Sequence, residues 1–116
     1  MQFDSRDERV MADYVLLEGA LTDLDHIQTY SIETWGLDIA VAYLEGLSGI
    51  FEMIAARPAI GRNRNDDLGN GYISYIYKSH VVYYKISPEH NAVLIVAILH
   101  YSMLPAKHLE RNDKNT

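Results

Sequence analysis

The chain has 116 residues, sixteen Asp and Glu against ten Lys and Arg, and no cysteine. That length makes one domain with a single modest core, and the absence of thiols excludes a disulfide framework and a thiolate metal site. A net charge of -6 argues against a protein that grips nucleic acid by neutralising phosphates, which takes several well-placed cations.

The charge is unevenly spread. Residues 1–61 carry three basic and eleven acidic side chains, and residues 62–116 carry seven basic and five acidic ones. The first ten residues are polar and unpatterned, with no apolar stretch of the kind a secretory signal needs. A loose tail is expected over residues 1–11. No apolar run approaches the ~18 residues of a membrane span, the longest being Ala92 to Leu99. A cytoplasmic protein away from the membrane is the expectation.

Ala12 to Leu17 reads as a short first strand, with a β-branched and an aromatic residue. From Glu18 the period becomes helical. Ala20, Leu24, Ile27 and Ser31 share one face, joined by Leu21 and flanked by Tyr30 and Trp35, with Thr22, Asp23 and Asp25 early in the helix. Gly36 stops this helix. A second helix carries a cleaner stripe of Ala40, Tyr43, Leu44, Leu47, Ile50, Phe51 and Ile54, opposite Asp38, Glu45 and Glu52. Pro58 ends it, since proline offers no N–H and restricts the residue before it. Two helices joined at one glycine make an αα-hairpin.

Strand chemistry follows. Tyr72 to Tyr77 is aromatic and β-branched, Lys78-Ser79 breaks it from His80 to Ile86, and Ser87 to Asn91 has turn composition. Ala92 to Leu99 has no polar alternation, which points to a strand covered on both faces. The two helices can cover only one. The other is left to a partner or to side chains of the C-terminal segment. Residues 110–116 read as a disordered tail. The expected fold is therefore α+β: an N-terminal strand, the αα-hairpin, then a three-stranded antiparallel meander.

Little in the chain announces chemistry. The five histidines, at 26, 80, 90, 100 and 108, match no helical metal spacing, though His100 and His108 can approach each other. No serine sits in a G-x-S-x-G elbow, and Gly69-Asn70-Gly71 reads as a turn. Tyr72, Tyr75, Tyr77, Tyr83 and Tyr84 alternate between sheet faces, which favours packing over RNA stacking. Arg62 and Arg64 read either as solvated loop charges, with Arg62 on a helix carboxylate, or as contacts for an acidic partner or nucleic acid. His100-Tyr101 reads either as a strand terminus or as a proton-moving pair that, beside arginine, can act in RNA cleavage.

An ordered series of features resembles the ParE branch of the ParE/RelE toxins over residues 12–109. It runs through Ala20-x-x-Asp23-Leu24 with Ile27-x-x-Tyr30, Trp35-Gly36, Ala40-x-x-Tyr43-Leu44 and Phe51-x-x-Ile54-Ala55 with Arg57-Pro58. It continues in Gly61-Arg62, Leu68-x-x-Gly71-Tyr72, His80-Val81-Val82-Tyr83-Tyr84 and Ile98-Leu99-His100-x-Ser102-Met103. The resemblance implies a helical hairpin on a small sheet, in a non-enzymatic toxin that inhibits DNA gyrase. It implies a ParD-like antitoxin bound in a hetero-oligomer, with no cofactor, no metal and no direct DNA binding. Arg62, Arg64, Tyr83, Ile95, Ala97, Leu99, Met103 and Lys107 are the expected partner-binding residues. Two alternatives remain: a RelE-like endoribonuclease using His100, Tyr101, Arg62 and Arg64, or a degenerate, non-toxic domain that only binds antitoxin. Relatives often carry arginine where this chain has Ala97, and an acidic or small residue where it has Leu104.

Overall fold

The computed structural model describes residues 13–113; the tail expected over residues 1–11 lies outside them. Strand β1 (Asp13–Leu16) leads into helices α1 (Glu18–Trp35) and α2 (Leu37–Ala56). Four strands follow, β2 (Arg62–Asn63), β3 (Ile73–Tyr77), β4 (His80–Ser87) and β5 (Ala92–His100), then helix α3 (Pro105–Asp113). The sheet order is β1-β5-β4-β3-β2. β1 runs parallel to β5, and every other neighbouring pair is antiparallel. The expected α+β order is present, with two additions: the two-residue β2 in what reads as a loop, and α3. Of the tail expected over residues 110–116, residues 110–113 lie in α3 and residues 114–116 lie outside the described ones.

Gly36 separates the two long helices at φ 92°, a conformation that strains any residue with a Cβ. The α2 stripe packs as its spacing predicts. Ala40, Leu47, Phe51 and Ile54 are buried, and Leu47 and Ile54 are fully so. Leu47, Phe51 and Ile54 share a core with Val82, Tyr84, Val93, Ile95 and Ile98 of the sheet and with Ala20 and Ile27 of α1. By length and composition α2 could cross a membrane. Its packing on the sheet and its exposed Asp38, Glu45 and Glu52 make it a core helix here. Leu21 departs from the expected α1 face and is exposed, as are Tyr30 and Trp35.

The apolar run in β5 is explained by a β-bulge. Tyr83 pairs with Ala97 and Tyr84 with Ile95, so Val96 is the extra residue. The bulge breaks the two-residue alternation. Val93, Ile95 and Ile98 join the core under the helices, whereas Val96, Ala97 and Leu99 join a second cluster with Tyr72, Val81, Tyr83 and Leu109. That cluster is closed by Leu109 of α3 and by Leu68 and Tyr72 of the loop before β3. Of the two covers left open by the sequence, the chain's own C-terminal segment is the one in place.

Polar contacts at both ends lock the frame. β1 stops beside Ile95, where Leu17 N–H reaches the Ile95 carbonyl at 3.0 Å. Past that point the Ile98 N–H donates to Asp23 Oδ2 at 3.0 Å, so Asp23, expected to serve the helix N-terminus, instead satisfies the strand edge. At the other end, Tyr84 Oη donates to the Pro58 carbonyl at 2.7 Å and accepts the Gly61 N–H at 3.1 Å. A Cβ on Gly61 would lie 2.5 Å from that hydroxyl and 2.7 Å from the Ser74 carbonyl, which is why glycine follows the turn there.

Candidate functional site

The β3–β4 turn and the end of β5 gather a chain of rings. His80 and His100 are cross-strand partners, and their rings meet edge to face at 5.7 Å. Tyr101 stacks on His100 at 4.4 Å. Tyr43, rising from α2, sets its hydroxyl 2.7 Å from His80 Nδ1 and its ring 5.2 Å from Tyr77. The Lys78 ammonium stands 5.4 Å from the Tyr77 ring centre. Ser102 N–H and Oγ both lie within hydrogen-bond reach of His100 Nδ1, at 3.2 and 2.7 Å. A backbone N–H can only donate, so Nδ1 is the acceptor and the neutral ring carries its proton on Nε2. Burial lowers the His80 pKa below its ordinary 6.5, and His100 adds to the effect. Burial likewise raises the Tyr43 hydroxyl above 10.

Beside these rings lies a groove of about 480 Å³ between α1, the outer edge of β5 and α3. Four of the five histidines, His26, His80, His100 and His108, line it with Glu18 and Asp23. His100 and His108 thus line the same groove. His26 and His80 were not foreseen, because the pairing that brings them there spans most of the chain. Among the described residues no three His, Asp or Glu side chains are placed to hold a metal ion. Among the described residues no Lys or Arg lines the groove, so these offer an attacked phosphate no fixed cation there.

Of the four residues of the endoribonuclease alternative, His100 and Tyr101 are brought together, and the two arginines lie apart from them. Arg62 pairs with Ser74, Ser74 with Tyr83 and Tyr83 with Ala97. Three strand spacings and three residues then separate Arg62 from His100, roughly 17 Å. Arg64 is occupied: its guanidinium holds Asp67 through two hydrogen bonds of 2.6 and 3.1 Å, reaches Ser74 Oγ at 3.1 Å and lies over the Tyr83 ring. That pairing is the first cause of its raised pKa and of the lowered pKa of Asp67.

The expected partner-binding set needs correction. Tyr83, Ile95, Ala97 and Leu99 are 5%, 0%, 0% and 3% exposed. Ile95 lies under the helices, and the other three lie in the cluster that Leu109 closes. They are core residues, buried because the bulge and α3 give both sheet faces a cover. Arg62, Met103 and Lys107 are exposed.

A family model for the ParE toxin of the type II toxin–antitoxin system parDE matches residues 14–105. The chain belongs to the ParE toxin family. Toxin ParE1 of Caulobacter vibrioides is 38% identical over 99 residues, covering 85% of this chain and 99% of the relative. Toxin ParE1 of Mycobacterium tuberculosis is 32% identical over 90 residues, covering 78% and 90%. Two solved structures share the ParE/RelE-like fold. One is the chromosomal ParDE toxin–antitoxin system from P. aeruginosa, with TM-score 0.66 and 14% identity over 78% of this chain and 96% of that one. The other is the toxin–antitoxin complex RelBE2 from Mycobacterium tuberculosis, with TM-score 0.57 and 21% identity over 84% and 100%. The ParE match spans both helices, all five strands and the histidine end of the sheet.

Proposed function

We propose that this ParE toxin acts without catalysis, by binding and inhibiting bacterial DNA gyrase, and that a ParD-like antitoxin neutralises it by direct contact. One observation carries the non-catalytic part: the two arginines an endoribonuclease would need stand apart from His100 and Tyr101. His100 and Tyr101 stand at one end of the sheet, beside a groove that the described residues line with two carboxylates and no Lys or Arg. Arg62 lies roughly 17 Å away, and Arg64 is committed to Asp67. Phosphoryl chemistry depends on cations aimed at the charge that develops; among the described residues no Lys or Arg lines the groove, and Lys78, at the β3–β4 turn, stands over the Tyr77 ring.

The antitoxin part is supported by family membership and by a fold shared with toxins solved with their antitoxins. With Tyr83, Ala97 and Leu99 already covered, the antitoxin meets the hairpin, the sheet edges at β1 and β2, or the exposed end around Met103 and Lys107. The test is controlled expression in bacteria, following a DNA-damage reporter and RNA integrity in parallel. Early reporter induction with intact RNA, abolished by the antitoxin from the same operon, is the expected result. RNA loss ahead of any DNA-damage response would replace this reading with the endoribonuclease one.

A further inference from the structure

The loop between β2 and β3 carries the only Asn-Gly pair in the chain, Asn70-Gly71. Gly69 and Tyr72 close a turn around it, the Tyr72 N–H donating to the Gly69 carbonyl at 3.2 Å. Asn70 and Gly71 both have positive φ, 54° and 79°, the signature of a type I′ turn. Asparagine tolerates that left-handed geometry better than most residues, and glycine adopts it freely. Both residues are exposed. Asn-Gly is also the dipeptide in which an asparagine side chain cyclises most readily, because glycine places no Cβ in the way of its own nitrogen.

In that reaction the Gly71 nitrogen loses its proton and bonds to Asn70 Cγ. The Cγ–Nδ2 bond breaks, and the leaving nitrogen takes up the proton as ammonia. Water then opens the five-membered imide. Addition at Cγ leaves an aspartyl residue, and addition at the Asn70 main-chain carbonyl carbon leaves an isoaspartyl one, whose chain runs through Cβ and Cγ. Two features of the loop oppose the first step. The Gly71 N–H is held by Asn65 Oδ1 at 2.9 Å, and Asn65 is itself placed by its N–H donating to Asn63 Oδ1 at 2.8 Å. Ring closure also requires the peptide plane to turn until the Gly71 nitrogen eclipses Asn70 Cβ. In a left-handed residue the following nitrogen stands well away from that position.

We propose that Asn70 is a deamidation site gated by Asn65, reacting when the Asn65–Gly71 hydrogen bond and the turn open together. The product matters because Leu68 and Tyr72, on either side of the turn, pack into the cluster with Leu109. An isoaspartyl residue adds one methylene to the main chain between them and loosens that cover of the sheet. The inference is independent of the gyrase reading.

The experiment incubates the full chain in mildly alkaline buffer, folded and in urea. Mass spectrometry of the peptide containing Asn70 follows amide-to-acid conversion, and labelling by an isoaspartyl methyltransferase follows the isoaspartyl product. Conversion is expected to run at least about tenfold slower in the folded chain, as for any reaction that waits on local opening. Asn65→Ala should speed it about fivefold in the folded chain, the worth of one hydrogen bond, and leave the unfolded rate unchanged. Asn65→Asp keeps an acceptor oxygen and should stay within about twofold of the original. Asn70→Gly, which suits the turn, should abolish the signal, and circular dichroism checks that each variant folds. Equal rates in the folded and unfolded chain would overturn the proposal, as would a folded Asn65→Ala that converts no faster than the original. So would a signal that survives Asn70→Gly. If Asn65→Ala does not fold, the comparison of folded with unfolded original chain decides alone.

Discussion

Tyr84 is fully buried, yet its hydroxyl holds together the turn after α2 by donating to the Pro58 carbonyl and accepting the Gly61 N–H. Tyr84→Phe keeps the ring and leaves both backbone groups without that partner. It is expected to cost about 1–3 kcal/mol, read as a lower urea midpoint at unchanged slope. His80 gives a pH signature. Its folded pKa lies below 6.5 because burial disfavours the imidazolium, so the unfolded chain takes up the proton first. The His80 contribution is complete above 6.5 and declines as pH falls from there towards the lower folded value. Denaturant unfolding between pH 8 and 5 should show this decline, and His80→Gln should flatten it. Of the residues singled out by sequence, Arg62, Met103 and Lys107 are exposed as expected. Arg64 misled because an Asp three residues on claims it, and sequence does not say which loop charges meet.

At the scale of elements, legibility follows periodicity. The hairpin is readable because α2 repeats its apolar residues through four turns and Gly36 and Pro58 punctuate it. The β5 bulge is not readable, because an extra residue in an all-apolar run leaves no mark in the composition. Nor is α3, nine residues long with Leu109 as its fully buried anchor. A single anchor gives no period to detect, yet it decides what covers one face of the sheet. Two leucine truncations separate the covers. Leu47→Ala, in the core under the hairpin, should lower global stability by about 2–5 kcal/mol. Leu109→Ala should instead raise amide exchange mainly in residues 96–113, where it loosens α3 from β5. Uniform exchange through the whole sheet on Leu109→Ala would mean that α3 is integral to the core rather than a cover on it.

The whole molecule is a five-stranded sheet with a helical hairpin on one face and a short helix and loop on the other. What the sequence implied for the whole, an α+β ParE-type toxin, holds. Of the eight residues it implied for the partner surface, four lie in the cores. Arg62, Met103, Lys107 and the apolar side chains around Gly36 are exposed, and among the described residues no Lys or Arg lines the histidine groove. Inhibition by contact is therefore the central claim. A supercoiling assay with purified bacterial gyrase, run beside an incubation of the same chain with messenger RNA, tests it most directly. The expected result is loss of supercoiling or accumulation of cleaved DNA, reversed by antitoxin, undiminished in His100→Ala, and with the RNA intact. Unimpaired gyrase together with RNA cleavage that disappears in His100→Ala would contradict it.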